Sequence, residues 1–249
     1  MVSDYNLSEV DGIDKLQTRM EEADSINDWS HILSDYISFG NTKIADHVAI
    51  FNLNSATDCP NAKTQENGES ETGLCQVPWE KCYAGKAERV YPNTLPYRRR
   101  QEYLWDCLDA ETFGKAFLAM VSRKRNDVTA LRLSEAGDFR HNGDIYKCDR
   151  IAEILAEEGI DVYTYSASYK LDGWHTVEHM TVMESVTKAN YGDANYTAFD
   201  KEKGKPEGFV WCPHDLQKSE EGVTSSDAIK CGDCRLCIDG DVDVAIPLH

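Results

Sequence analysis

The chain has 249 residues and a mass of 28.1 kDa, enough for one sizeable core with appended lobes and too little for two full domains. Its 44 acidic residues against 26 basic ones leave a formal net charge of -18, which disfavours a double-stranded nucleic-acid binder and describes a well-solvated acidic surface. The acidic start MVSDYNLSEVDGIDK lacks the apolar run of a signal peptide, and the longest apolar stretch, 116–121, is too short to span a bilayer, so an intracellular protein with reduced thiols is expected.

In chain order, residues 1–40 form an acidic helical segment, with Val10, Ile13, Leu16 and Met20 at helical spacing. Residues 41–249 then read as a single α/β domain. A strand is expected at 47–54, leading to Cys59, and a polar loop at 61–74. Residues 109–125 make an amphipathic helix whose Phe113, Ala116, Phe117, Met120 and Val121 share a face, with cations in its last turn. The clearest pattern comes next: a strand through VTALRLSEAG, a helix through DIYKCDRIAEILAEEG closed by Gly159, and a second strand through IDVYTYSAS. Strand, helix and strand in succession imply a parallel βαβ unit. HMTVMESV and GFVWC supply later strands. The expected architecture is a partial barrel-like parallel sheet with helices, its site at the carboxyl ends of the strands, plus a cysteine-rich lobe over 209–238.

The nine cysteines divide into two groups and a remainder. Cys59, Cys75 and Cys82 are separated by 15 and 6 residues, with Pro60 after the first. Three thiolates leave one position open on a four-coordinate metal or a four-iron cluster, where a small molecule can bind. Cys212 joins the C-x2-C-x2-C run of Cys231, Cys234 and Cys237, a set of four that closes a site and suits a structural or electron-relaying centre. Either group is compatible with [4Fe–4S] clusters or with zinc, and His214 is an alternative ligand in the second. An odd number of cysteines in a reducing compartment favours metal ligation over disulfides. Cys107 and Cys148 lie on expected helices and read as packing residues.

Other polar residues cluster where the first βαβ strand ends. Arg132, Glu135 and Asp138 are the candidate catalytic residues. Ser134, with Thr164 and Ser166 from the next strand, are candidates for holding the polar end of a cofactor; a plain Gly-Asp turn is the blander account. Tyr163 and Tyr165 read as packing. Arg98, Arg99 and Arg100, interleaved with Tyr97, Tyr103 and Trp105, are either a salt-bridged helix or a patch for single-stranded nucleic acid. His175 and His179 have i, i+4 spacing but lack the glutamate of a metalloprotease.

The motifs CP…C…KCYAGKAE, LRLSEAGDF, DVYTYSAS and WCPHD…KCGDCRLC occur in the order of the phage and archaeal-virus "gene product 88" family, which this chain resembles over roughly residues 40–238. That resemblance implies a virus-encoded protein in the host cytoplasm. The cysteine, strand and helix layout is also similar to that of radical S-adenosylmethionine enzymes, although its first cysteines are more widely spaced than theirs. The function expected is therefore that of an iron–sulfur protein with two [4Fe–4S] clusters, acting as a radical enzyme on a small molecule if S-adenosylmethionine binds the open iron. The alternative is a zinc- or cluster-stapled binding or assembly module without catalysis.

Overall fold

The structure, a computed structural model, describes residues 5–62, 74, 75, 77, 79–124, 127–185, 194–199, 201, 202 and 204–247. The fold is mixed α/β with a sheet that is mainly parallel. Strands β1 (Ser38–Phe39), β2 (Val48–Phe51), β3 (Ala130–Leu133), β4 (Asp161–Ser166) and β5 (Thr181–Glu184) lie side by side in that order. Only β1 runs antiparallel to its neighbour. A second sheet has the order β6-β8-β7, from β6 (Tyr196–Phe199), β7 (Val210–Trp211) and β8 (Val244–Pro247), all parallel.

Eight α-helices are seen among the described residues. The first two, α1 (Ile13–Glu21) and α2 (Ile26–Leu33), lie within the acidic N-terminal segment. A reciprocal capping box starts α2: Asp28 N–H donates to Ser25 Oγ at 3.2 Å, and Ser25 N–H to Asp28 Oδ2 at 3.1 Å. Ile13, Leu16, Ile32 and Leu33 sit in the main core. The segment before residue 40 is thus packed into the domain and lends it β1, because its apolar stripe needs an apolar face to cover.

Between β2 and β3 run α3 (Tyr83–Val90), α4 (Thr94–Cys107) and α5 (Ala110–Lys124). The βαβ unit read from the sequence is present as β3, α6 (Asn142–Ala156) and β4, with Gly159 at φ +71° after the helix. Two short helices, α7 (Pro213–Gln217) and α8 (Leu236–Asp239), belong to the cysteine-rich C-terminal part. The expected loop at 61–74 lies, apart from its ends, outside the described residues.

The two faces of the central strands divide the molecule. Leu131, Leu133 and Val162 point to the helices and join the main core. There Phe113 sits edge-on to Phe51 at 5.1 Å and to Trp105 at 5.6 Å. The other face presents Ala130, Arg132, Tyr163 and Tyr165, with Arg132 paired in register to Tyr163. Tyr163 packs with Ile44, Val48, Ile50 and Ile238, and Cys231 lies against this group. One face therefore builds the core while the other meets the cysteine-rich part. Among the described residues no helix is long and apolar enough to cross a membrane.

Candidate functional site

The chain leaves β2 through Asn52, Asn54 and Ser55, all buried. Buried amides need partners, and these two asparagines find theirs in the segment that leaves β3. Asn52 Oδ1 accepts from Ala136 N–H at 2.7 Å, and its Nδ2 donates to Gln101 Oε1 at 3.0 Å. Asn54 Oδ1 accepts from Asp138 N–H at 3.1 Å, and its Nδ2 donates to the Asp138 carbonyl at 2.6 Å. Gly137, at φ +77°, completes this brace: a Cβ there would lie 1.9 Å from Asn54 Oδ1.

The next turn is held from α3 and α4. Glu88 accepts from the N–H groups of Ala56 and Thr57 at 2.7 and 2.9 Å, and from Arg98 Nη1 at 2.6 Å. Arg99 grips Asp58 with two hydrogen bonds of 2.8 and 2.9 Å. Cys59 comes directly after. Cys82 is the N-cap of α3, its Sγ accepting from Gly85 N–H at 3.4 Å. Gly85 fits tightly there, since a Cβ would come within 2.9 Å of the Trp79 ring.

Cys59, Cys75 and Cys82 face one cavity of about 260 Å³ beyond the carboxyl ends of β3 and β4. Arg132, Ser134, Glu135 and Asp138 line the same space. Ser166 lies behind it, donating to Asp138 Oδ1 at 2.6 Å, and Asp138 Oδ2 accepts from Ala167 N–H and Asn61 Nδ2, both at 2.8 Å. Burial pushes the Asp138 carboxyl above its ordinary value despite these bonds, and pushes the Cys59 thiol well up. Thr164 does not line the cavity; fully buried, it donates to the Leu133 carbonyl at 3.0 Å and serves the sheet.

Two donors on the cavity wall are unsatisfied among the described residues. Ser134 comes after β3 at φ +55°, a conformation that costs a serine energy, and its Oγ is buried without a partner. The Arg132 guanidinium lies 4.7 Å over the Tyr165 ring and 3.5 Å from the Tyr83 hydroxyl, while its Nε has no partner. Buried donors without acceptors, beside a cation, suit a ligand rich in acceptor oxygens.

The second group gathers behind the sheet face that carries Tyr163. Cys212 comes after β7 as the N-cap of α7, and Cys237 lies in α8. Cys231 is tied by its backbone to the Lys43 carbonyl at 2.8 Å and to Ala45 N–H at 2.8 Å. Gly232, at φ +105°, lets that loop pass Val48, to which a Cβ would come within 2.8 Å. All four thiols line one small cavity of about 20 Å³. Burial raises every one of them, Cys237 to about 12. Lys43, bound to Asp215 at 2.6 Å, stands beside Cys212 and Cys231.

Among the described residues no three cysteine, histidine or acidic side chains converge tightly enough to hold a single metal ion. The thiols of each group border a cavity and do not meet at a point. The cysteine-rich metal-binding lobe expected at 209–238 is to that extent not shown. His175 and His179 do not share a helix, because the first lies in a 3-10 turn (Asp172–Thr176) and the second lies beyond it against Asp149. Arg98, Arg99 and Arg100 are all engaged within the protein, by Glu88, Asp58 and the Asp11 carbonyl.

The residues that sequence reasoning passed over are Asn52, Asn54, Asn61 and Glu88. The signal for the three asparagines was available in NLNSATDCPN, where polar side chains interrupt a stretch leaving a buried strand.

Residues 16–240 match the family model described as Gene product 88, and the chain belongs to that family. No curated protein and no solved structure matches it.

Proposed function

We propose that this member of the gene product 88 family is an iron–sulfur protein whose first cysteine group holds a [4Fe–4S] cluster open to the large cavity. S-Adenosylmethionine is the ligand we assign to it. The observation that carries this reading is the meeting, in one cavity, of three cysteines from the connection between β2 and α3 with Arg132, Ser134, Glu135 and Asp138 from the end of β3. Three soft thiolates supply one ligand fewer than a closed site needs, and the wall beside them carries two donors, Arg132 Nε and Ser134 Oγ, without partners among the described residues. The four thiols of the second group surround a space too small for a further ligand, which suits a closed auxiliary or structural centre.

The parallel order of β2 to β5 continues through a single bridge between Ser185 and Tyr196 towards the second sheet, in keeping with a partial barrel around the cavity. When bound, an open four-iron cluster supplies a one-electron reductant with a free iron for the amino and carboxylate groups of the ligand. The chain's own contributions are distinct. Arg132 and Ser134 orient the carboxylate and exclude water from it. Asp138, fixed by Ser166, Ala167 and Asn61, holds the strand-end turn and offers an acceptor. Glu135, bonded to Asn41 at 2.8 Å, lines the same cavity and offers a second acceptor there. The family resemblance adds a virus-encoded protein working in host cytoplasm on a small molecule.

The test is iron, zinc and sulfide analysis with a visible spectrum on protein purified without oxygen. About eight irons and eight sulfides per chain are expected, falling to about four in Cys59→Ser or Cys82→Ser. Calorimetry should then show S-adenosylmethionine binding that Arg132→Met weakens. A colourless protein with one or two zincs and no sulfide would sink this reading and leave a zinc-stapled binding or assembly module.

A further inference from the structure

Tyr163 is fully buried, and its hydroxyl has no hydrogen-bond partner among the described residues. A phenylalanine would fill the same volume without stripping water from a phenol, so the hydroxyl calls for an acceptor. Tyr163 lines the small cavity bordered by Cys212, Cys231, Cys234 and Cys237. The imidazole on that wall, His214, already faces the Ile229 carbonyl through Nδ1 at 2.9 Å. With Nδ1–H on that carbonyl, the acceptors on this wall are the four sulfurs and His214 Nε2, and the sulfurs are the more numerous.

Tyr165 is two residues on and presents its ring to the same face of β4. It lies between the two cysteine groups. One side of it lines the large cavity beneath Arg132, and it packs in the same cluster as Cys212 and Cys237. Tyr196 closes the stack, its ring 4.6 Å from that of Tyr165.

We propose that Tyr163 and Tyr165 donate phenolic hydrogen bonds to the sulfurs of the four-cysteine centre, and that Tyr165 couples this centre to the ligand cavity. This rests on reading the four-cysteine group as a metal–thiolate centre. Hydrogen bonds to sulfur stabilise the more negative, reduced state of a cluster and raise its potential. A change in the position of Arg132 on ligand binding is felt at Cys237 through the ring on which the guanidinium rests.

The experiment uses the full chain purified without oxygen as wild type, Tyr163→Phe and Tyr165→Phe. Metal per chain is measured first, with Cys234→Ser as reference; no loss of metal in that variant overturns the underlying reading, independently of how the tyrosine variants behave. In loaded protein, both phenylalanine variants should keep full metal content and titrate at more negative midpoint potentials. Wild type should show exchangeable protons coupled to this cluster by electron–nuclear double resonance after transfer to deuterium oxide, fewer in each variant. That comparison starts from wild type, so it survives poor folding of either variant. Adding S-adenosylmethionine should shift the potential of this centre in wild type and in Tyr163→Phe but not in Tyr165→Phe. Unchanged potentials and proton couplings in both variants overturn the donor assignment, and a ligand-induced shift that persists in Tyr165→Phe overturns the coupling. If the metal is zinc, faster alkylation of the thiolates by iodoacetamide in both variants supports the donors, and an unchanged rate overturns them.

Discussion

Removing the Glu88 carboxylate should be among the most damaging single changes in this protein, and the structure gives its size. Glu88 and Arg98 are 2% and 8% exposed at their side chains and meet at 2.6 Å. The carboxylate also holds the N–H groups of Ala56 and Thr57 and the Thr57 hydroxyl. Glu88→Ala leaves the guanidinium buried with only the Ala84 carbonyl, 2.9 Å away, as a partner. Breaking one side of a buried pair costs about 3–5 kcal/mol. The freed N–H of buried Ala56 adds to this, while exposed Thr57 can turn to water, so a total near ~4 kcal/mol is expected. In a chain of this size that lowers the melting temperature by about 8–16 °C. Urea unfolding of wild type, Glu88→Ala, Arg98→Met and the double variant measures it. The double variant should be less destabilised than the sum of the singles, because the second change removes the stranded charge. A loss below about 1 kcal/mol in Glu88→Ala, or simple additivity, would refute the reasoning.

Three further changes probe the same geometry. Gly137→Ala forces a Cβ to within 1.9 Å of Asn54 Oδ1 at φ +77°, and should cost more than about 2 kcal/mol in urea unfolding while weakening ligand binding in the cavity. Ser134→Gly relieves the strain at φ +55° and removes an unsatisfied hydroxyl, so it should stabilise by about 1 kcal/mol and still weaken binding; loss of stability would contradict the assigned strain. Burial pushes the Asp144 carboxyl up, but hydrogen bonds from Arg140 and Trp105 outweigh it and hold the group below its ordinary value. With its folded value depressed, Asp144 contributes stability that is whole above the unfolded carboxylate pKa of about 3.9 and fades as pH falls through the lower folded value. Unfolding measured from pH 5 to 2 should therefore show a shallower acid decline in Asp144→Asn than in wild type.

What the sequence made legible was periodic or chemical. The βαβ unit around Arg132 and Tyr163 and the helix carrying Phe113 repeat with their own periods, and the structure has them within a few residues. The cysteines divided by spacing, and the structure sets each group around its own cavity. Less legible was anything that depends on residues far apart. Nothing local marks Asn54 as the partner of Asp138, or Glu88 as the clamp on Ala56, because each contact joins segments separated by dozens of residues. The two-residue strands β1 and β7 are too short to carry a period. Glu135 departs from the strand pattern: strict alternation puts it on the face opposite Arg132 and Ser134, but the chain turns to φ +55° at Ser134 and brings Glu135 and Asp138 to the cavity with them.

Tyr163 and Tyr165 show why a correct local reading can still miss the function of a residue. Alternation placed both rings on one face, and packing is indeed part of what they do. Yet a strand buried on both faces has no need of phenols, since phenylalanine packs as well without a hydroxyl to satisfy. The same holds for charge. A chain with a net charge of -18 places Arg132 inward near Cys231, while Lys43, its side chain 31% exposed and paired with Asp215 at 2.6 Å, stands beside Cys212 and Cys231. Buried cations are costly unless they face negative charge. Four thiolates around a divalent ion or a [4Fe–4S]2+ core would carry that negative charge, and Lys43 and Arg132 stand where it would be felt. On the proposed reading, the position of Arg132 would answer to an anionic metal–sulfur centre, a demand separate from that of the acidic surface.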